Sequence, residues 1–282
     1  MDISAITDSF DARVDDALGW ISDNGEGFFD LIRSILEGTY DVILWLLQLP
    51  PFYVIAIVAA LLGWRLINMW AGLLTGVAVV FCAAMGLWAE TMSTLALVAT
   101  STILALVVGI PVGILAGFAT TFDKLLEPLL DLIQTLPPYI YLLPAIALLG
   151  YGPATAMVAT VIVAMPPAIR LTALGIRMTP HNFVELGQAS GLTPWQMFTK
   201  IRLPFAMPSV MAGINQSLMM AFGMVVIAGI VGSAGLGETI YGAVRTLDIS
   251  TSINAAIAIV ILTMVLDRLT QSASPRTKGG AR

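Results

Sequence analysis

Histidine and cysteine are almost missing from this sequence of 282 residues, where His181 and Cys82 each stand alone. A single cysteine excludes a disulfide within the chain, and one of each leaves a metal cluster without a ligand set. Cys82 lies in an apolar run and reads as a small core residue; His181 reads as a solvated residue at a helix start. Charge is scarce too, at 11% of residues against about a quarter in a soluble domain. Paired ionisable groups inside the apolar runs, which an intramembrane enzyme or an ion-coupled carrier would need, are few. No GxxxxGK[ST] phosphate loop occurs, so the chain has no seat for nucleotide hydrolysis. Gly232, Gly235 and Gly237 lack that spacing and read as a turn. No catalytic residue, metal ligand or nucleic-acid partner is expected.

What is present is apolar: 58% hydrophobic residues and a mean hydropathy of +0.91. The chain is expected to be an all-α polytopic membrane protein with a single membrane domain. The net charge of −5 conceals segregation, because ten of the eighteen acids lie within residues 1–41. Residues 1–27 lack the basic start and cleavage site of a signal peptide and are expected to be an acidic extracytoplasmic tail, disordered or in short helix. Residues 28–49 place Phe28, Ile32, Ile35, Val42, Ile43 and Leu46 near one stripe, interrupted by Asp30, Arg33, Glu37 and Asp41. This predicts an amphipathic helix lying on the bilayer, with the first half of a span broken at Pro50-Pro51 as the other reading.

About seven transmembrane helices follow, near 51–68, 69–88, 91–119, 129–149, 153–177, 207–232 and 252–269. The first two, within 51–88, form an accessory pair; the remainder makes a core over 91–270; residues 271–282 form a basic tail with Arg276, Lys278 and Arg282. Gly109, Gly113 and Gly117 share one face of the third span and permit a close helix approach, and Pro111 among them predicts a kink. Pro137, Pro138 and Pro144 argue against a regular helix in the fourth. Seven spans put the termini on opposite sides. Ten basic residues then share a side with the 177–207 connection and the C-terminus, against Arg13, Arg33 and Arg245 on the other. By the positive-inside rule the N-terminus is outside and the C-terminus cytoplasmic.

The connection at 179–204, TPHNFVELGQASGLTPWQMFTKIRLP, is too polar to sit in lipid. Thr179-Pro180 reads as a cap and first helical residue, starting a short helix to about Ser190. Gly191 suits the left-handed position just past a helix end. Thr193-Pro194 repeats the start signal, and Leu203-Pro204 is expected to close the second helix. The result is a helix–turn–helix elbow between two spans.

Glu185-Leu186-Gly187, then Gly191, Ile201, Leu203 and Pro204, resemble in spacing the EAA loop of ABC importer permeases, with the two alanines replaced. The resemblance runs from Thr91 to Gln271. It is most specific in DLIQTLPPYIYLLPAIALLGYGP (131–153), AMPPAIRLTALGIRMTP (164–180), MPSVMAGINQSLMMAFGMVVIAG (207–229) and GLGETIYGAVRTLDIS (235–250), which are similar to permeases for quaternary amines such as glycine betaine, proline betaine and choline. The short segment ahead of the amphipathic helix resembles the choline-directed branch. The resemblance implies the type I ABC importer transmembrane fold in a bacterial cytoplasmic (inner) membrane. It also implies two permease copies as a homodimer, cytoplasmic ATPase subunits that hold ATP and Mg while this chain holds no cofactor, and an extracytoplasmic substrate-binding protein. The elbow would be the part that docks on the ATPase. A permease of the same fold for another small solute, such as methionine or phosphonate, is the alternative. A trimethylammonium group has no donor and favours aromatic faces and carbonyl dipoles. Candidate pathway residues are therefore Tyr139 and Tyr141, with Asn215, Gln216, Ser217, Met219, Met220 and Met224 of the sixth span.

Overall fold

The computed structural model describes residues 3–273; the expected basic tail, apart from its first three residues, lies outside the described residues. Twelve α-helices occur in the described chain, and no strand: α1 (Ile3–Gln48), α2 (Phe52–Leu66), α3 (Met69–Ala84), α4 (Trp88–Phe118), α5 (Thr120–Thr135), α6 (Leu142–Leu149), α7 (Pro153–Arg177), α8 (His181–Ala189), α9 (Pro194–Met197), α10 (Leu203–Ala228), α11 (Leu236–Thr246) and α12 (Ile249–Ala273). Short 3-10 turns at Pro138–Tyr141 and Gly229–Val231 join α5 to α6 and α10 to α11.

Each of the seven expected apolar segments is helical, but not all as single straight helices. Four are long and apolar enough to cross a bilayer alone, among them α4, α7 and α12; the fourth continues from α9 through α10 to Val231. Two bent pairs bring the number to as many as six: α5 and α6 meet at 104°, and the Gly19–Gln48 part of α1 meets α2 at 92°. The α5–α6 break falls at the expected prolines, where a missing amide and a fixed φ interrupt the hydrogen-bond ladder. The apolar α3 has only 16 residues.

Residues 3–48 form one uninterrupted helix, so the backbone has no break at residue 27 between a disordered tail and an interfacial helix. The polar stretch SDNGEG, where disorder or short helix is expected, is helical within α1, and the Asn24 amide bonds back to the Trp20 carbonyl at 2.8 Å. Only part of the stripe read from the sequence packs, Ile43 among its members. Phe28, Ile35, Val42 and Leu46 are exposed, whereas Tyr40, Leu36, Ile43, Leu44 and Leu47 lie against the core.

The core is built on α4, α7 and α10, with α7 packed most extensively against the other two. The glycine stripe explains how close α4 and α7 come. A Cβ at Gly113 would lie 2.6 Å from the Ile169 carbonyl, and one at Gly117 would lie 2.7 Å from the Ile176 Cβ. In lipid, where apolar side chains gain little by leaving solvent, such backbone proximity supplies the van der Waals attraction between helices. α4 runs through Pro111 as one continuous helix. Three buried hydroxyls of α4 and α7 turn back on their own helices: Thr91 donates to the Leu87 carbonyl at 2.6 Å, Thr100 to Ala96 at 2.5 Å and Thr160 to Ala156 at 2.7 Å. This satisfies polar groups that have no water. Cys82 is buried beside Leu87, Leu236, Ala255 and Ala258.

α11 is held by an unusually tight backbone contact. A Cβ on Gly237 would stand 2.0 Å from the Val225 carbonyl oxygen, and one on Gly229 would stand 2.3 Å from Gly237. Gly235 takes φ +86, and the Leu236 amide donates to Thr94 Oγ1 of α4 at 2.8 Å. The turn expected from Gly232, Gly235 and Gly237 is thus also the seat of a helix. Past α11, Asp248 accepts from the Thr251 hydroxyl at 2.7 Å and amide at 3.1 Å. These bonds hold its carboxyl below the usual carboxylate range.

Candidate functional site

The elbow forms as a turn between α8 and α9. Gly191 adopts φ +71. Its amide donates to the Gln188 carbonyl and that of Leu192 to Gly187, both at 3.0 Å, the paired bonds of a Schellman termination. Glycine adopts this left-handed backbone without a steric penalty. Thr193 then starts α9 with a complete capping box: the Gln196 amide donates to Thr193 Oγ1 at 3.3 Å, and the Thr193 amide to Gln196 Oε1 at 3.0 Å.

Two expected boundaries differ. Thr179 does not cap α8; its hydroxyl donates to the Ile176 carbonyl of α7 at 3.0 Å, and Pro180 occupies the cap position without a side-chain bond. Leu203-Pro204 does not end the second helix. A π turn at Phe198–Arg202 widens the backbone, the Leu203 amide reaches back to the Phe198 carbonyl, and α10 continues with Pro204 in its first turn. A proline ring clashes with the carbonyl four residues earlier in a regular helix, and the wider turn relieves that clash. The elbow therefore runs into α10 as one continuous rod.

Gly187, where the EAA pattern has an alanine, is the buried residue of α8. A Cβ there would meet Met197 Cε at 2.6 Å and Ile201 Cδ1 at 2.7 Å. Both are ends of flexible side chains, so Gly187→Ala is expected to be accommodated with near-parental transport. Gly187→Leu should splay α8 from α9 at a cost of about 1–3 kcal/mol, read as a lower melting temperature of the purified chain and reduced uptake. Leu186, the other altered position, points outward. Leu186 on α8 and Trp195 on α9 are the apolar knobs of the elbow, 62% and 71% exposed. Glu185 is exposed beside Leu186, its Oε1 3.0 Å from His181 Nδ1, a surface pair worth little by itself. His181 is solvent-exposed, as expected. Ile201 is half-buried against Gly187, Leu203 is half-buried, and Pro204 is exposed.

The elbow is tied to the α4–α5 corner. Arg177 pairs with Asp123, the Arg202 guanidinium sits 4.9 Å above the Phe118 ring centre, and Phe198 meets Phe118 edge-on at 5.9 Å. Phe183 of α8 stacks near Phe205 of α10 at 4.8 Å. These contacts join the elbow to α4, α7 and α10.

The candidate pathway residues do not share one surface. Gln216, Met219 and Met220 are exposed on α10. Ser217 is buried, and Met224 belongs to the core with Tyr40, Leu97 and Met157. Asn215 is engaged with α12, donating to Asp267 at 3.0 Å and accepting from Thr270 at 2.7 Å. The Tyr141 hydroxyl donates to the Ile133 carbonyl across the α5–α6 break at 2.8 Å, while Tyr139 is 56% exposed. The 3-10 turn carrying the two tyrosines touches both α7 and α10. Asn215 and Tyr141 therefore bond to neighbouring segments and Ser217 and Met224 pack inside, whereas Tyr139, Gln216, Met219 and Met220 are exposed. Burial, which composition does not reveal, separates Ser217 and Met224 from Gln216, Met219 and Met220 on α10.

A bundle of apolar helices with a polar helix–turn–helix elbow between two of them is the architecture of a membrane-embedded subunit. The chain belongs to the family described as binding-protein-dependent transport system inner membrane component, which it matches over residues 109–279. It is 41% identical to the glycine betaine transport system permease protein OpuAB of Bacillus subtilis (strain 168), over 94% of each chain. It is 40% identical to the glycine betaine/carnitine transport permease protein GbuB of Listeria monocytogenes, over 90% of this chain and 91% of that one. It is 37% identical to the glycine betaine/proline betaine transport system permease protein ProW of Escherichia coli (strain K12), over 96% and 77%. Among solved structures, the inward-facing MetNI methionine ABC transporter matches 64% of this chain and 93% of its own with a TM-score of 0.58 at 23% identity, a likeness of fold. The chain is thus a multi-pass inner-membrane permease of type I ABC importer fold, a class that works with an ATPase and a substrate-binding protein.

Proposed function

We propose that this chain forms the translocation pathway of an ATP-driven importer of quaternary amines, of the glycine betaine and proline betaine kind. The observation that carries this reading is identity of 37–41% to permeases named for those substrates across nearly the whole chain. The methionine or phosphonate alternative rests on fold alone. The relatives' names favour glycine betaine over the choline-directed branch.

In this reading two copies pair, with Tyr139 and the exposed Gln216, Met219 and Met220 of α10 toward the pathway. The elbow lies in the cytoplasm, the N-terminus outside and the C-terminus inside. Ten basic residues against three support that orientation. The partner ATPases bind ATP and Mg, and this chain contributes no cofactor. Leu186 and Trp195 enter a groove on the ATPase, with Glu185 at its rim. Closure of the ATPases moves the elbow, and the continuous rod into α10 rocks the spans between inward-open and outward-open states.

The test is uptake by proteoliposomes holding this chain with its ATPase and binding protein. Labelled glycine betaine should accumulate only with internal ATP, and excess methionine should not compete. Accumulation of methionine without glycine betaine would overturn the assignment.

A further inference from the structure

A cavity of about 410 Å³ lies at the end of α7 opposite the elbow, walled by the loop before α7, the 3-10 turn after α10 and one face of α11. The 25 residues of α7 place it roughly 38 Å from the elbow. Its size suits a small-molecule site. Glu238, Tyr241, Gly242 and Arg245 line it from α11 at spacings of three and four, one helix face, and Tyr151 faces them from the loop.

The chemistry of this lining is two-ended. Tyr151 and Tyr241 offer aromatic faces with the Glu238 carboxylate beside them, and that carboxylate already accepts from the Ala234 amide at 2.9 Å. Arg245 lies with its guanidinium carbon 5.7 Å from the Tyr241 ring centre and forms no ion pair among the described residues. A cation without donors is held by aromatic faces and a nearby negative charge, and a carboxylate by a guanidinium. The walls are fixed: the Gly152 amide donates to the Val231 carbonyl at 2.9 Å, and the Gly229–Gly237 contact locks α11 to α10.

We propose that this cavity is a receiving site for a zwitterionic quaternary amine, with trimethylammonium on Tyr151, Tyr241 and Glu238 and carboxylate on Arg245. Arg245 on the ring of Tyr241 is the resting arrangement, and a ligand carboxylate draws the guanidinium away as its cation takes that face. The proposal rests on the quaternary-amine reading and narrows it, because choline lacks a carboxylate for Arg245. The site is weak, so that it receives from a binding protein and releases to the pathway.

The experiment is saturation-transfer NMR on the permease–ATPase assembly in nanodiscs without binding protein, using glycine betaine and choline separately as probes at millimolar concentration. The methyl signal of glycine betaine should be saturated, and lost in Tyr241→Leu and in Tyr151→Leu, the latter a loop variant that leaves α11 untouched. Arg245→Gln should weaken glycine betaine at least about fivefold, a loss of about 1 kcal/mol, and choline less than twofold. Absence of saturation in the parent, or equal loss of both probes in Arg245→Gln, would overturn the site. Binding without glycine betaine uptake by the complete system would sink the transport reading and leave the site standing; uptake without binding would do the reverse.

Discussion

Gly191→Pro is expected to reduce transport by more than about tenfold while the chain still inserts. The native φ of +71 at this residue is out of reach of a ring fixed near −65°. The substitution also deletes the amide that donates to Gln188, so both features of the turn fail together, at upward of ~3 kcal/mol for the local structure. That loss falls on the elbow. A Cβ at Gly191 meets nothing within 4 Å, and the membrane core does not depend on the turn. ATP hydrolysis should continue without solute movement. Gly191→Asn, which tolerates the left-handed backbone, should retain most uptake. The paired measurement is initial uptake and ATPase rate of the two variants in proteoliposomes. Equal uptake by both would remove the turn from the mechanism.

Gly237→Ala should be the most damaging single methyl in the described chain. Its Cβ would fall 2.0 Å from a backbone oxygen, and a backbone cannot swing aside as a side-chain end does. α11 must lift from α10, breaking the Leu236–Thr94 bond on the way. The overpacking cost is about 3 kcal/mol or more, enough to lower the melting temperature by roughly 5 °C or more. Gly38→Ala, in the α1 helix with nothing near its Cβ, is the control. It should be neutral or slightly stabilising, by about 0.5–1 kcal/mol. Thermal unfolding of the purified chain in detergent separates the two, and indistinguishable melting temperatures would contradict the packing described.

Much of this was legible in the sequence where a residue's own chemistry decides its conformation. Gly191 announces a left-handed turn, Thr193-Pro194 a capped start, and Pro137-Pro138 a broken span; all three are present. The glycines at 109, 113 and 117 announce a close helix approach, and α7 supplies the partner. Where neighbours decide, the sequence misleads. Pro204 reads as a stop, but the π turn just before it absorbs the ring. Residues 1–27 read as a disordered or briefly helical tail, yet α1 is continuous from Ile3 to Gln48. Ser217 and Met224 look as suited to a pathway as Gln216 and Met219, and only the packing of α10 on α7 turns the first pair inward. The cavity residues on α11 were visible as a spacing, E-x-x-Y-G-x-x-R, but Tyr151 reaches them from 87 positions upstream of Glu238, through a fold that composition cannot supply.

The most direct measurement is cross-linking at an elbow knob. Leu186→Cys, in a chain whose only native thiol is buried, is treated with a short bifunctional reagent in inside-out vesicles containing the ATPase. A permease–ATPase adduct whose yield changes on ATP addition is the expected result. Labelling of Cys at this position by an impermeant maleimide from the outer face of intact cells, with no adduct to the ATPase, would contradict the account.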